Sequence, residues 1–229
     1  MSRSISFPMI IALLMLTGCE TVTSGFSDTS KQLSDFTGRM FGNASGKTPR
    51  KAAVRMEDQS YPDERRQGLN ELVKQDFGKR APYTTRYVQI AGTDDDWLVR
   101  ATAIRALNRS RDRDATAVFV KSLSDPNDQV RLEAAKALVH MPDDSAVPAL
   151  VKIVQDTDEN HDVRIAAADA LQHYRTLEAA RALTTTLGGR DFGVAWQAHQ
   201  TLTKLTQRDM QYDEAAWLAY LTGPEKPFG

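Results

Sequence analysis

Cysteine is nearly missing from this chain of 229 residues: Cys19 is the only one. That excludes an internal disulfide and a cysteine-based zinc site, and leaves a free thiol, a nucleophile or an attachment point. Long hydrophobic runs are also lacking. The ten apolar residues from Phe7 to Leu16 are about half of the ~20 that a spanning helix needs, so a permanent transmembrane segment is not expected there. Neither sign of charge is in excess, with 29 Lys and Arg against 30 Asp and Glu. Without the first 18 residues, which hold one base (Arg3) and no acid, the balance is 28 − 30 = −2. Such a chain lacks the cations that neutralise phosphates, and nucleic acid is not expected as a partner.

What is present begins at the N-terminus. Arg3 is followed by the apolar run FPMIIALLML and then by small Thr17 and Gly18, the three regions of a secretory signal. Leu16-Thr17-Gly18-Cys19 resembles the lipobox of bacterial lipoproteins. The resemblance implies a diacylglyceryl group on the Cys19 sulfur, cleavage after Gly18, and acylation of the new amino group. Two or more acyl chains hold a protein on a bilayer where one would not. Residue 20 is Glu; the Asp that retains lipoproteins at the inner membrane is absent, which favours the outer membrane. Residues 1–18 thus read as a signal peptide and 19–59 as a lipidated cysteine with a tether. Within the tether, residues 20–49 hold 14 Ser, Thr or Gly in 30, too little apolar surface to offset chain ordering. Leu33, Phe36 and Met40 share a helical face beside Phe41, the pattern of a short amphipathic turn.

From residue 60 to 229 the chain repeats itself. VRATAIRAL starts at Val99, VRLEAAKAL at Val130, VRIAAADAL at Val163 and VAWQAHQTL at Val194, with an earlier copy, ERRQGLNEL, at Glu64. The steps are 35, 31, 33 and 31 residues, the period of a solenoid. Eight positions after each start stands leucine (Leu72, Leu107, Leu138, Leu171, Leu202), and four positions after it a tiny residue (Gly68, Ala103, Ala134, Ala167, Ala198). Positions 0, 4, 5 and 8 share one face of a helix, where leucine fills the core and the tiny residue admits a neighbouring helix. A second apolar stretch follows each copy, for example Val147-Leu150-Val151-Val154. The expectation is an all-α, right-handed α-solenoid of about five helix pairs, each formed by a VR helix and the stretch after it. One pair cannot cover its own apolar flank, so pairs stack.

These copies resemble HEAT repeats, in particular the short bacterial kind related to phycobilin lyases, and are similar to those of exported HEAT-repeat lipoproteins. The resemblance implies a ladder of charge-assisted contacts between successive units, from Asp94, Asp125 and Asp158 to the arginines Arg65, Arg100, Arg131 and Arg164. The last copy departs from it, with Gly189 and Ala195 at the Asp and Arg positions, as befits an end unit. Trp217 and Tyr220 are expected to cover the exposed end of the core, and Gly223-Pro224 to stop the last helix.

Catalytic signatures are scarce. Some HEAT-repeat proteins are di-iron hydroxylases that use His-Glu dipeptides, but the four histidines here are followed by Met141, Asp162, Tyr174 and Gln200. Phycobilin lyases act on cytoplasmic pigment proteins, a different compartment from that of an exported lipoprotein. No G-x-S-x-G is present, and Asp94-Asp95-Asp96 lacks the glycine-spaced loop and closing Glu of a calcium site. His161, His173 and His199 occupy different repeat positions and form no ladder, so no metal or cofactor is expected. Arg109, Arg111 and Arg113 interleave with Asp112 and Asp114 as a solvated turn. HEAT stacks grip protein partners on the concave side. The resemblance implies that the second helices line that side, where Lys121, Lys152 and Arg181 are expected to form a basic recognition stripe. The functional expectation is a non-catalytic, membrane-tethered scaffold or adaptor of the cell envelope that binds a protein partner. A lyase-like enzyme or enzyme subunit, and an assembly factor for an envelope complex, are the alternatives.

Overall fold

Three residues before each valine start stands a side chain that caps a helix, and each does so in the computed structural model, which describes residues 49–224 and 228. Asp96 accepts hydrogen bonds from the Leu98 and Val99 amides, Asn127 from Gln129, Asn160 from Asp162 and Asp191 from Val194. These caps satisfy amide donors that the first turn of a helix leaves unpaired. Signal peptide, Cys19 and the amphipathic pattern at Leu33–Phe41 lie outside the described residues.

Eleven α-helices follow one another, with no strand among the described residues. They are α1 (Pro49–Met56), α2 (Pro62–Leu72), α3 (Tyr83–Thr93), α4 (Trp97–Ser110), α5 (Thr116–Ser122) and α6 (Asp128–His140). Then come α7 (Val147–Gln155), α8 (His161–Ala170), α9 (Leu177–Thr184), α10 (Phe192–Thr206) and α11 (Glu214–Thr222). The even-numbered helices up to α10 are the VR helices. Each packs against the helix before it, giving five hairpins: α1/α2, α3/α4, α5/α6, α7/α8 and α9/α10. Each VR helix thus pairs with the stretch before it and not, as the repeat order suggests, with the one after it, and the hairpin frame is shifted by half a repeat. The described residues form an all-α solenoid of five helix pairs followed by the single helix α11.

The repeat positions explain the stacking. The five leucines are fully buried, and so are Ala103, Ala134, Ala167 and Ala198. Removing a leucine side chain from water contributes roughly 1.5–3 kcal/mol. At Gly68 the reason for smallness is geometric: a Cβ would meet the Met56 amide nitrogen at 2.4 Å and the Ala52 carbonyl oxygen at 2.5 Å. That contact belongs to α1, whose Ala52 and Met56 are part of the core. Helix α1 lies inside the segment 19–59 that the residue pattern assigns to the tether.

Successive VR helices pack on one another along the described stack, and among the odd-numbered helices α3 packs on α5, α7 on α9 and α9 on α11.

Candidate interaction surfaces

The first four hairpins are joined, at the turns before α4, α6 and α8, by an arginine and a carboxylate. Arg65 donates from Nε and Nη2 to the two carboxylate oxygens of Asp94, at 2.8 and 2.9 Å. Arg100 holds Asp125 the same way, with both bonds at 2.9 Å. Arg131 holds Glu159 at 2.7 and 2.6 Å. The third nitrogen of each guanidinium reaches a backbone carbonyl in the turn at its own helix start: Asp58, Asp94 or Asp125. These are bidentate, charge-assisted pairs with side chains mostly removed from solvent. The hydrogen bonds to Asp94, Asp125 and Glu159 raise the three arginine pKa values, more than burial lowers them.

The third rung differs from the sequence expectation. Asp158, six residues before Arg164 like the other ladder aspartates before their arginines, is exposed and does not meet Arg131. The step from Val130 to Val163 is 33 residues instead of 31, and the two extra residues fall between Ala146 and Val163, where α7 runs to nine residues against seven in α5 before a turn of equal length. There the Asp158 amide bonds to the Asp156 carboxylate. Glu159, one residue nearer the cap and one methylene longer, spans the gap to Arg131.

At the last rung the pairing dissolves. Arg164 donates from Nε and Nη2 to the Val154 carbonyl, and its Nη1 lies 3.9 Å from Asp191. Asp191 instead meets His161 Nδ1 at 2.6 Å while capping α10. Burial, the largest single influence on Asp191, raises its pKa. The His161 hydrogen bond, the Val194 amide and the charges of His161 and Arg164 together outweigh it, and the net shift is downward.

Lys121, Lys152 and Arg181 are exposed, on α5, α7 and α9. Buried Ala115, Ala146 and Ala179 bring the three helices into register, and Phe119, Leu150 and Leu183 agree with it. Lys121 and Lys152 then hold one position, and Thr185 the third. Arg181 sits one turn earlier on the same face. The stripe thus runs along the odd-numbered row of helices.

Of the histidines, His140 meets Asn108 Oδ1 at 3.1 Å, and His199 Nε2 meets Asp209 at 2.8 Å. The depression lined by Asp128, Arg131, Asp156, Asp158, Glu159 and Asn160 is open to solvent. Among the described residues no group of His, Cys, Asp and Glu is arranged to hold a metal ion. No helix among them is long and apolar enough to cross a membrane. Trp217 is fully buried, and its indole donates to the Gln211 carbonyl at 2.9 Å. α11 extends the odd-numbered row by packing on α9, while Asp209 and Tyr212 of the segment before it lie on α10 at His199. Phe192 and Trp196 on that helix stay exposed. The trace of this patch in the sequence is the four-residue spacing of Phe192 and Trp196.

Stacked hairpins, a recurring Arg–carboxylate clasp and a leucine–alanine core define a helical-repeat protein. Comparison with known families agrees: the model for HEAT repeats matches residues 84–172 and 117–203, which together span more than half of the chain. The chain belongs to the HEAT-repeat family. It is similar in fold to the complex of CpcE and CpcF of phycocyanin lyase from Nostoc sp., at 22% identity and a TM-score of 0.60 over 80% of this chain and 73% of that one. It is also similar to an engineered protein, at 20% identity and a TM-score of 0.55 over 78% of this chain and 90% of that one. No curated protein sequence matches it.

Proposed function

We propose that this chain is a non-catalytic, protein-binding scaffold or adaptor of the bacterial cell envelope, held at the membrane by lipid on Cys19. The observation that carries the reading is the stack itself. Its interior charges are engaged in joining hairpins, while Lys121, Lys152 and Arg181 stand exposed along consecutive helices with no ion pair among the described residues. Long helical-repeat surfaces of this kind recognise other proteins. Tethering would raise the effective concentration of a bound partner beside the bilayer. The lipobox-like Leu16–Cys19 supports the anchor, on the periplasmic side and with the outer membrane favoured by Glu20. That the similar structure is a complex of two proteins supports a protein partner. Its lyase origin supports the second reading, a lyase-like enzyme or enzyme subunit. An assembly factor for an envelope complex is a version of the first.

Co-purification from intact membranes tests this with three baits. The native chain should carry a partner and incorporate labelled palmitate. Cys19→Ala should remain an unprocessed precursor without label. The charge reversal Lys121→Glu, Lys152→Glu, Arg181→Glu should keep the label and lose the partner. A labelled Cys19→Ala chain would remove the anchor. An unchanged partner on the reversed stripe would remove the binding surface, and a bound chromophore would favour the lyase-like reading.

A further inference from the structure

Five residues after the start of each VR helix stands a side chain that the fold buries. Leu69, Ile104, Ala135 and Ala168 hold this place on α2, α4, α6 and α8, all apolar and all fully buried. On α10 the place is taken by His199, also buried and the one titratable side chain of the series. No VR helix follows α10 among the described residues. Residues 207–213, which lead to α11, lie against it at His199 instead.

Two groups of this segment face His199. Asp209 Oδ1 stands 2.8 Å from its Nε2, and the Tyr212 ring lies 5.0 Å from the imidazole. Gln200 of the same helix reaches Nδ1 at 3.4 Å, and no further ion pair or hydrogen bond of this ring is present among the described residues. The His199 bond is the largest influence on the Asp209 carboxyl and, with the Gln211 amide, holds it below its ordinary range, so that it is ionised at neutral pH. Other features oppose this closed arrangement. Gln207 and Gln211 take left-handed backbone angles, with φ of 57° and 53°, that favour glycine. The Thr203 hydroxyl, one turn after His199, is buried without a hydrogen-bond partner, a cost that entering water would relieve. Met210 packs on the core and the Trp217 indole holds the Gln211 carbonyl at 2.9 Å, so the segment loosens at Asp209 without unfolding.

We propose that residues 207–213 are a strap over α10 whose closure is set by the charge on His199. A protonated imidazole pairs with the Asp209 carboxylate and holds the strap down. A neutral one offers an uncharged hydrogen bond, and the strap opens more often. Histidine changes charge between about pH 5 and 8, a range in which the Arg–carboxylate clasps of the first four hairpins stay fully ionised. Further into acid the sign reverses. Asp209 has a lowered folded pKa, so its contribution is lost as the pH falls through that value. The strap is therefore tightest in mildly acidic solution and loosens as the pH rises through the histidine range. Opening bares α10 at His199, beside Phe192, whose ring lies 6.3 Å from that of Tyr212. This end of the stack thus changes its surface with pH, while the clasped hairpins keep theirs.

Hydrogen exchange of the full chain in detergent, expressed as protection relative to the unfolded rate at each pH, tests the strap. Peptides spanning residues 207–217 should be protected roughly two- to fivefold more at about pH 5.5 than at about pH 8, the worth of a partly exposed ion pair. Peptides of α4 and α6 should not change. His199→Gln should abolish the difference in the strap while α4 and α6 keep native protection. Asp209→Asn, at an exposed position, should do the same without touching the core. His161→Gln, which alters the other histidine–aspartate contact, should leave the difference in place. Equal strap protection at both pH values in the native chain would overturn the proposal. A difference that survives in Asp209→Asn, or that His161→Gln abolishes, would overturn it too, by placing the response elsewhere.

Discussion

The middle rungs of the ladder and its last rung use the same arginine position to different ends. Arg65, Arg100 and Arg131 each grip a carboxylate of the next hairpin with two parallel bonds, whereas Arg164 turns back to the Val154 carbonyl of its own hairpin. A middle hairpin is therefore clasped on both sides, through charges removed from water. The final hairpin is joined to its neighbour by a longer contact that involves a histidine. Removing a partner should cost most where the remaining charge has nowhere else to go.

Glu159→Ala should have the largest effect. It leaves the Arg131 guanidinium, whose side chain is 19% exposed, with only the Asp125 carbonyl. Loss of one member of such a pair costs about 3 kcal/mol, readable as a lower midpoint in urea denaturation. A loss below that expected for an exposed pair, ~0–1 kcal/mol, would mean that the rung is solvated and does not clasp the hairpins.

Asp191→Ala should cost less, about 1 kcal/mol, the worth of an N-cap, because Arg164 keeps its bonds to Val154. The difference should also depend on pH. Asp191 has a folded pKa below its ordinary value, so its carboxylate contributes fully above the unfolded pKa of ~3.9. That contribution fades as the pH falls through the lower folded value. Native and variant stabilities should converge in that acid range. The middle-rung arginines have raised pKa values, so their contribution is present below the unfolded value and fades only at extreme alkaline pH. A gap at Asp191 that persists unchanged into acid would show that its charge plays no part.

Most of this comparison was legible in the residues, and the parts that were not share a cause. Helix identity, the tiny position at Ala134 and the leucine at Leu138 follow from periodicity, because one helix face has to be buried whatever it packs against. Which helices pair does not follow. A cyclic pattern reads the same when shifted by half a repeat, and only tertiary contacts show that α6 folds onto α5 and not onto α7. Helix α1 escaped notice because it buries only Ala52 and Met56, and its trace in the sequence is the glycine at 68. The exposed end at Trp196 escaped because a motif states which positions face a neighbour, not whether the neighbour exists. Membrane attachment stays a statement about residues 16–19 alone.

The smallest expected effect sharpens the comparison most. By repeat alignment Asp158 belongs on the third rung, and a reader of the motif would remove it to break the clasp. In the structure its side chain faces water and its amide serves the turn, while Glu159 carries the bond. Asp158→Ala should then shift stability by no more than about 0.5 kcal/mol, the usual range for an exposed site. Glu159→Ala measured in parallel should cost several times as much. Asp158→Ala costing as much as Glu159→Ala would place the aspartate back on the rung. It would also mean that the two residues added between Ala146 and Val163 leave the repeat geometry unchanged.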